Sequence, residues 1–86
     1  MYIILTYDIG VKRVSKVMKI CRKYLMHVQR SVFEGTLTER QLKNLQNELQ
    51  KRIDVTEDQI CIYKFASLKY TQKEVIGLEN IRDNIL

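Results

Sequence analysis

The stretch Ile4-Leu5-Thr6-Tyr7-Asp8-Ile9-Gly10 ends an almost unbroken apolar run on one carboxylate, and the next acid in the chain is Glu34. Between residues 11 and 30 stand Lys12, Arg13, Lys16, Lys19, Arg22, Lys23 and Arg30. Seven of the 15 Lys and Arg residues thus fall in a segment holding none of the 10 acids. Two kinds of chemistry suit an isolated Asp in that setting. Its side chain can cap the turn leading from a strand into a helix, the commoner use, or it can serve as an anionic ligand for a cation. The acid-free basic run suits a polyanion such as nucleic acid; its plain alternative is a solvated helix face. No other constellation competes. His27 is the single histidine, Cys21 and Cys61 stand in no metal-ligand spacing, and no carboxylate cluster or nucleophile–base motif occurs.

Regular elements must carry these residues. Residues 2–7, YIILTY, are β-branched and aromatic, the composition of a strand, and are closed by Asp-Ile-Gly. Val14, Val17, Met18, Cys21 and Leu25 follow a helical period, which predicts a helix within 11–25. Lys12, Lys16, Lys19 and Lys23 fall on its opposite side, so this helix packs one face and shows bases on the other. VQRSVFEG, residues 28–35, returns to strand chemistry, with the hairpin expected at Gly35. Thr38 with Gln41 forms a capping box, Leu37 can staple onto Leu42, and Leu42, Leu45, Leu49 and Ile53 continue a helical stripe. QICIYKF, residues 59–65, is a further strand, KEVIG at 73–77 a shorter one, and the DNIL end either pairs or frays.

The expected class is therefore α+β, a ferredoxin-like β-α-β-β-α-β sandwich with an additional short C-terminal strand. That plan serves many unrelated functions and assigns none. Eighty-six residues make one domain, residues 1–86, with 45% hydrophobic and 29% charged residues. So short a chain buries only about 60% of its unfolded surface, which favours a homodimer. The cysteines read as buried thiols of a reducing cytosol. The apolar start is too short for a signal peptide or membrane span. These features predict a cytoplasmic protein with no membrane partner.

Tyr7-Asp8-Ile9 closing the first strand and Gln29-Arg30-Ser31-Val32-Phe33-Glu34 after a basic helix, taken together, resemble one family. It is the small adaptation protein of CRISPR immune systems, the partner of the integrase that inserts new spacers. The resemblance spans about residues 1–77. It implies a homodimer in which each subunit's sheet lies against the other's. It further implies a metal-dependent endonuclease acting on RNA or DNA phosphodiesters, with Mg²⁺ (or Mn²⁺) as cofactor. In some members the role is instead a non-catalytic nucleic-acid-binding scaffold that bridges integrase dimers. A ribonuclease toxin of similar size and fold is a third expectation.

On that resemblance Asp8 is both metal ligand and catalytic residue. One carboxylate is a poor magnesium site, because Mg²⁺ dehydrates reluctantly and is usually held by one or two carboxylates plus phosphate oxygens. A twofold axis would supply the second from the copy of Asp8. Lys12, Arg13, Lys16, Lys19, Arg30 and Phe33 are the expected nucleic-acid contacts. For Arg30 the rival use is an ion pair with Glu34 or with the second subunit, and for Phe33 it is a place in the core. Tyr7 reads as packed rather than catalytic. His27 reads as a helix-end residue, favoured by the negative dipole end. Met18, Tyr24 and Met26 read as core or interface.

Overall fold

The computed structural model describes residues 1–67, 72 and 74–77. Six elements follow one another: β1 (Tyr2–Asp8), α1 (Val14–Arg22), β2 (Met26–Gln29), β3 (Val32–Thr36), α2 (Glu39–Gln50) and β4 (Gln59–Phe65). The strands form one antiparallel sheet in the order β2-β3-β1-β4. The β-α-β-β-α-β order of the ferredoxin-like plan is thus realised, with β1 and β3 as the two inner strands.

Alternation along β1 decides which side of the sheet is core. Ile3 and Leu5 are fully buried, and Leu5 stands opposite Phe33 of β3, also fully buried. These side chains pack with Val17, Met18, Ile20 and Cys21 of α1 and Leu42, Leu45 and Leu49 of α2. Both helical stripes therefore face the sheet as their periods predict. The even positions Tyr2, Ile4, Thr6 and Asp8 fall on the other face. There the register sets Ile4 beside Glu34 and Tyr63, Thr6 beside Val32 and Cys61, and Asp8 beside Gln59.

Helix α2 is capped as the sequence predicts. The Gln41 amide donates to the Thr38 hydroxyl at 3.1 Å, and the Thr38 amide donates to the Gln41 side-chain oxygen at 2.9 Å. Helix α1 starts at Val14, the first apolar position of its stripe, and its N-cap residue Arg13 makes no side-chain cap bond. A tight turn precedes it instead, with Arg13 and Val14 amides both donating to the Gly10 carbonyl at 2.9 and 3.1 Å.

Two expectations are corrected. The hairpin lies at Arg30–Ser31, not Gly35. Gln29 pairs with Val32, and Ser31 takes the left-handed conformation with φ 63. Gly35 is inside β3, where it is needed for a close approach: a Cβ there would stand 3.0 Å from Cδ2 of Leu25. The short strand expected at 73–77 is not formed over Glu74–Gly77, where Val75 is 44% and Ile76 fully exposed. A strand needs a neighbouring edge to bond, and none of the described strands pairs with it. Residue 73 and the DNIL end lie outside the described residues. Among the described residues no helix is long and apolar enough to cross a membrane.

Candidate active site

Asp8 is the last residue of β1, one of the two inner strands, and its exposed side chain lies on the helix-free face of the sheet. With the described residues its carboxylate makes no hydrogen bond or ion pair. The turn-capping role open to it in the sequence is taken by a residue the sequence did not single out, Asp58.

Asp58 ends the α2–β4 connection, directly before Gln59, the β4 partner of Asp8. Its carboxylate is fully shielded from solvent and accepts four hydrogen bonds. Oδ1 accepts from the Gly10 amide and from Arg13 Nη2, both at 2.9 Å. Oδ2 accepts from Arg13 Nε at 2.5 Å and from the Asp54 amide at 2.9 Å. The Arg13 guanidinium bond, helped by the two backbone amides, holds the Asp58 carboxyl well below the usual carboxylate range. Arg13 also approaches Glu57 at 3.9 Å. The clamp explains Gly10 as well, since a Cβ there would meet Arg13 Nη2 at 2.7 Å.

Arg13 is consequently not a free nucleic-acid contact. Its fork is spent on a buried carboxylate, a bidentate pairing that suits guanidinium geometry. Phe33 is corrected too. It is 0% exposed and stacks on His27 with ring centroids 4.5 Å apart and 14° between planes. His27 is not at a helix end but in β2, buried at 1% exposure, which removes it from proton exchange with a ligand at Asp8. Tyr7 packs 6.0 Å from Phe33, and burial first of all raises its hydroxyl pKa. Cys21 is buried and its thiol is pushed up to about 12 by that burial, so it is no nucleophile; Cys61 is half-buried on the open face.

The remaining predicted residues are exposed, and their placement divides them. The Tyr7 amide donates to the Ser31 carbonyl at 3.2 Å, which brings the β2–β3 hairpin tip, and Arg30 with it, to the Asp8 end of the sheet. Arg30 makes no ion pair with a described residue, so the Glu34 pairing is not formed. Lys12 is exposed in the loop that follows Asp8. Lys16 and Lys19 stand on the outer face of α1, across the sheet from the side to which Asp8 points. Lys23 is engaged with Glu48, which also accepts from the Tyr24 hydroxyl.

Among the described residues no group of three or more His, Cys, Asp and Glu could hold a metal ion. At the end of β1 the described residues thus offer a divalent cation the Asp8 carboxylate without a clustered set of further ligands. The family model described as CRISPR associated protein Cas2 matches residues 1–73. This chain belongs to that family. It is 46% identical to a CRISPR-associated endoribonuclease Cas2 of Thermodesulfovibrio yellowstonii over 99% of this chain and 98% of the relative. It is 38% identical to the protein of the same name from Dictyoglomus turgidum over the whole of both chains. A solved structure titled "Crystal structure of cas2" superposes with a TM-score of 0.85 at 35% identity, covering 100% of this chain and 97% of the other. Membership in the Cas2 family sets the ribonuclease-toxin alternative aside.

Proposed function

We propose that the chain is a cytoplasmic, metal-dependent endonuclease of CRISPR spacer acquisition, cutting RNA or DNA phosphodiesters as a homodimer beside the integrase. The observation that carries this reading is Asp8: an exposed carboxylate, unengaged by described residues, at the end of the inner strand β1 and on the helix-free face of the sheet. That face is apolar enough to seek a partner, with Tyr63 53% and Met26 54% exposed. A second copy laid against it about a twofold axis would pair Asp8 with its equivalent and so supply the missing ligand. Mg²⁺ or Mn²⁺ held there would activate water and steady charge on the scissile phosphate. The chain itself supplies binding and orientation: Lys12 in the loop after Asp8 and Arg30 at the same end of the sheet can each take a phosphate oxygen.

The test is cleavage of RNA and of DNA oligonucleotides with Mg²⁺ by Asp8→Asn, which keeps size but loses the anion. The variant remains folded and dimeric and loses at least about 10²-fold in rate, the effect of removing one electrostatic stabiliser. Cleavage at the wild-type rate sinks the reading.

A second reading has its own observation. Lys16 and Lys19 lie on the opposite layer from Asp8, a surface suited to holding a duplex backbone without chemistry. On that reading the dimer is a scaffold bridging integrase dimers. Spacer acquisition with the integrase then continues in Asp8→Asn although cleavage is lost.

A further inference from the structure

The residues that keep Asp8 in place come from the far half of the chain. Asp8 is tied on one side by its β4 register with Gln59. The loop that leaves it turns at Gly10, whose amide is bound to the shielded carboxylate of Asp58, the neighbour of that same Gln59. Arg13, at the end of the loop, closes the other side of Asp58 with two bonds. The Asp54 amide donates the fourth bond to the same carboxylate, so the α2–β4 loop is fixed by the same group. Asp8 stands at the start of this tied stretch and Lys12 lies within it, between Gly10 and Arg13.

We infer that Asp58, acting with Arg13 across Gly10, is a positioning residue for the Asp8 site. It sets the path of residues 8–13 and so the direction in which Asp8 meets a divalent cation and Lys12 meets a phosphate. This rests on the proposed function of Asp8. A buried carboxylate with every lone-pair direction engaged is more than a surface ion pair would need, and it spans 45 residues to the loop beside the ligand. Small displacements of a metal-binding or reacting group are costly, which is why rigid support outside the site matters to the rate.

The experiment compares wild type, Asp58→Asn and Arg13→Lys, all as full-length chains assayed well below their melting temperatures. Arg13→Lys keeps the charge and removes only the planar fork, so it serves where Asp58→Asn folds poorly. Three readouts are taken: hydrogen exchange at the Gly10 amide, Mn²⁺ affinity in the absence of nucleic acid, and kcat and KM on an RNA oligonucleotide. Exchange at Gly10 rises, Mn²⁺ binding weakens, and kcat falls about ten- to a hundredfold with KM little changed. In the Asp8→Asn background, Asp58→Asn has no further effect on Mn²⁺ binding, the signature of a residue acting through Asp8. A purely structural Asp58 would lower the melting temperature and leave Mn²⁺ affinity and kcat at wild-type values, which overturns the inference. Wild-type protein that binds no Mn²⁺ overturns the metal reading and this positioning role together. Wild-type binding that Asp58→Asn leaves intact overturns the positioning role alone.

Discussion

Phe33 and His27 lie ring on ring, 4.5 Å between centroids and 14° between planes, with Phe33 opposite Leu5 in the β1–β3 register. The pair joins β2 and β3 directly beneath the helices. Phe33→Ala is therefore a core deletion and costs about 3–5 kcal/mol of stability. Phe33→Leu keeps most of the volume and costs markedly less. Chemical denaturation of both variants checks this. If the Ala variant is as stable as wild type but binds nucleic acid more weakly, Phe33 is a ligand contact after all.

Acid is the condition that opens the Asp58 clamp. Bonds from Arg13 first, then from the Asp54 and Gly10 amides, depress the Asp58 pKa in the folded chain. A carboxylate depressed on folding gives stability that is fully present above its unfolded pKa, about 3.9, and is lost as pH falls below it. Glu48 is lowered too, by its bond from Lys23 and then by that from Tyr24. Wild-type melting temperature should therefore be flat from neutral pH to about pH 5 and drop steeply below. Asp58→Asn lowers the plateau by several degrees and makes the acid limb shallower. Parallel acid limbs in the two proteins would mean that other carboxylates carry the dependence.

What could be read in the sequence was local, and what could not was a matter of long-range contact. The Thr38–Gln41 box lies within one helical turn, and its two residue types can do little else at that spacing. Ser31 hid the hairpin because its left-handed backbone is a conformation usually signalled by Gly or Asn, while the nearby glycine served a packing need against Leu25. Asp8 was visible because an acid closing an apolar strand is conspicuous. Asp58 was not, because its partners stand 45 and 48 residues away. A signal did exist: Asp54, Glu57 and Asp58 gather immediately before β4, in a chain whose basic run starts just after β1. The pairing of Arg13 with Asp58 is hidden for the same reason, since composition cannot say which base of a run is already paired.

The basic face of α1 gives a prediction in salt. Lys16 and Lys19 are exposed, with no ion pair to a described residue, whereas Lys23 is paired with Glu48. Replacing Lys16 and Lys19 together by Ala weakens binding to nucleic acids of any sequence. The plot of log affinity against log salt becomes shallower by roughly one unit for each phosphate no longer neutralised. Lys23→Ala changes the slope less, because its charge is already answered. Titrations at several salt concentrations decide it, and an unchanged slope in the double variant means that this face does not meet the backbone.

The homodimer prediction turns on Tyr63, because it stands beside Ile4 on the helix-free face, 53% exposed, in the row that ends at Asp8. An aromatic ring of that kind left in water is the anchor that an apolar interface uses. Tyr63→Asp places a charge where the second sheet would lie, and an unpaired charge buried at an interface is strongly disfavoured. The substituted side chain points away from the core, so the folded chain itself should survive with wild-type circular dichroism. Size-exclusion chromatography with light scattering should then show the chain shifting from dimer to monomer. Cleavage should fall with the dimer although Asp8 is untouched, because on the proposed mechanism the cation is held between Asp8 and its copy. Raising the protein concentration should restore both in step, a coupling expected only if the metal site is completed across the axis. A Tyr63→Asp chain that cleaves fully as a monomer would show that one Asp8 is enough, and a chain that stays dimeric would move the interface off this face.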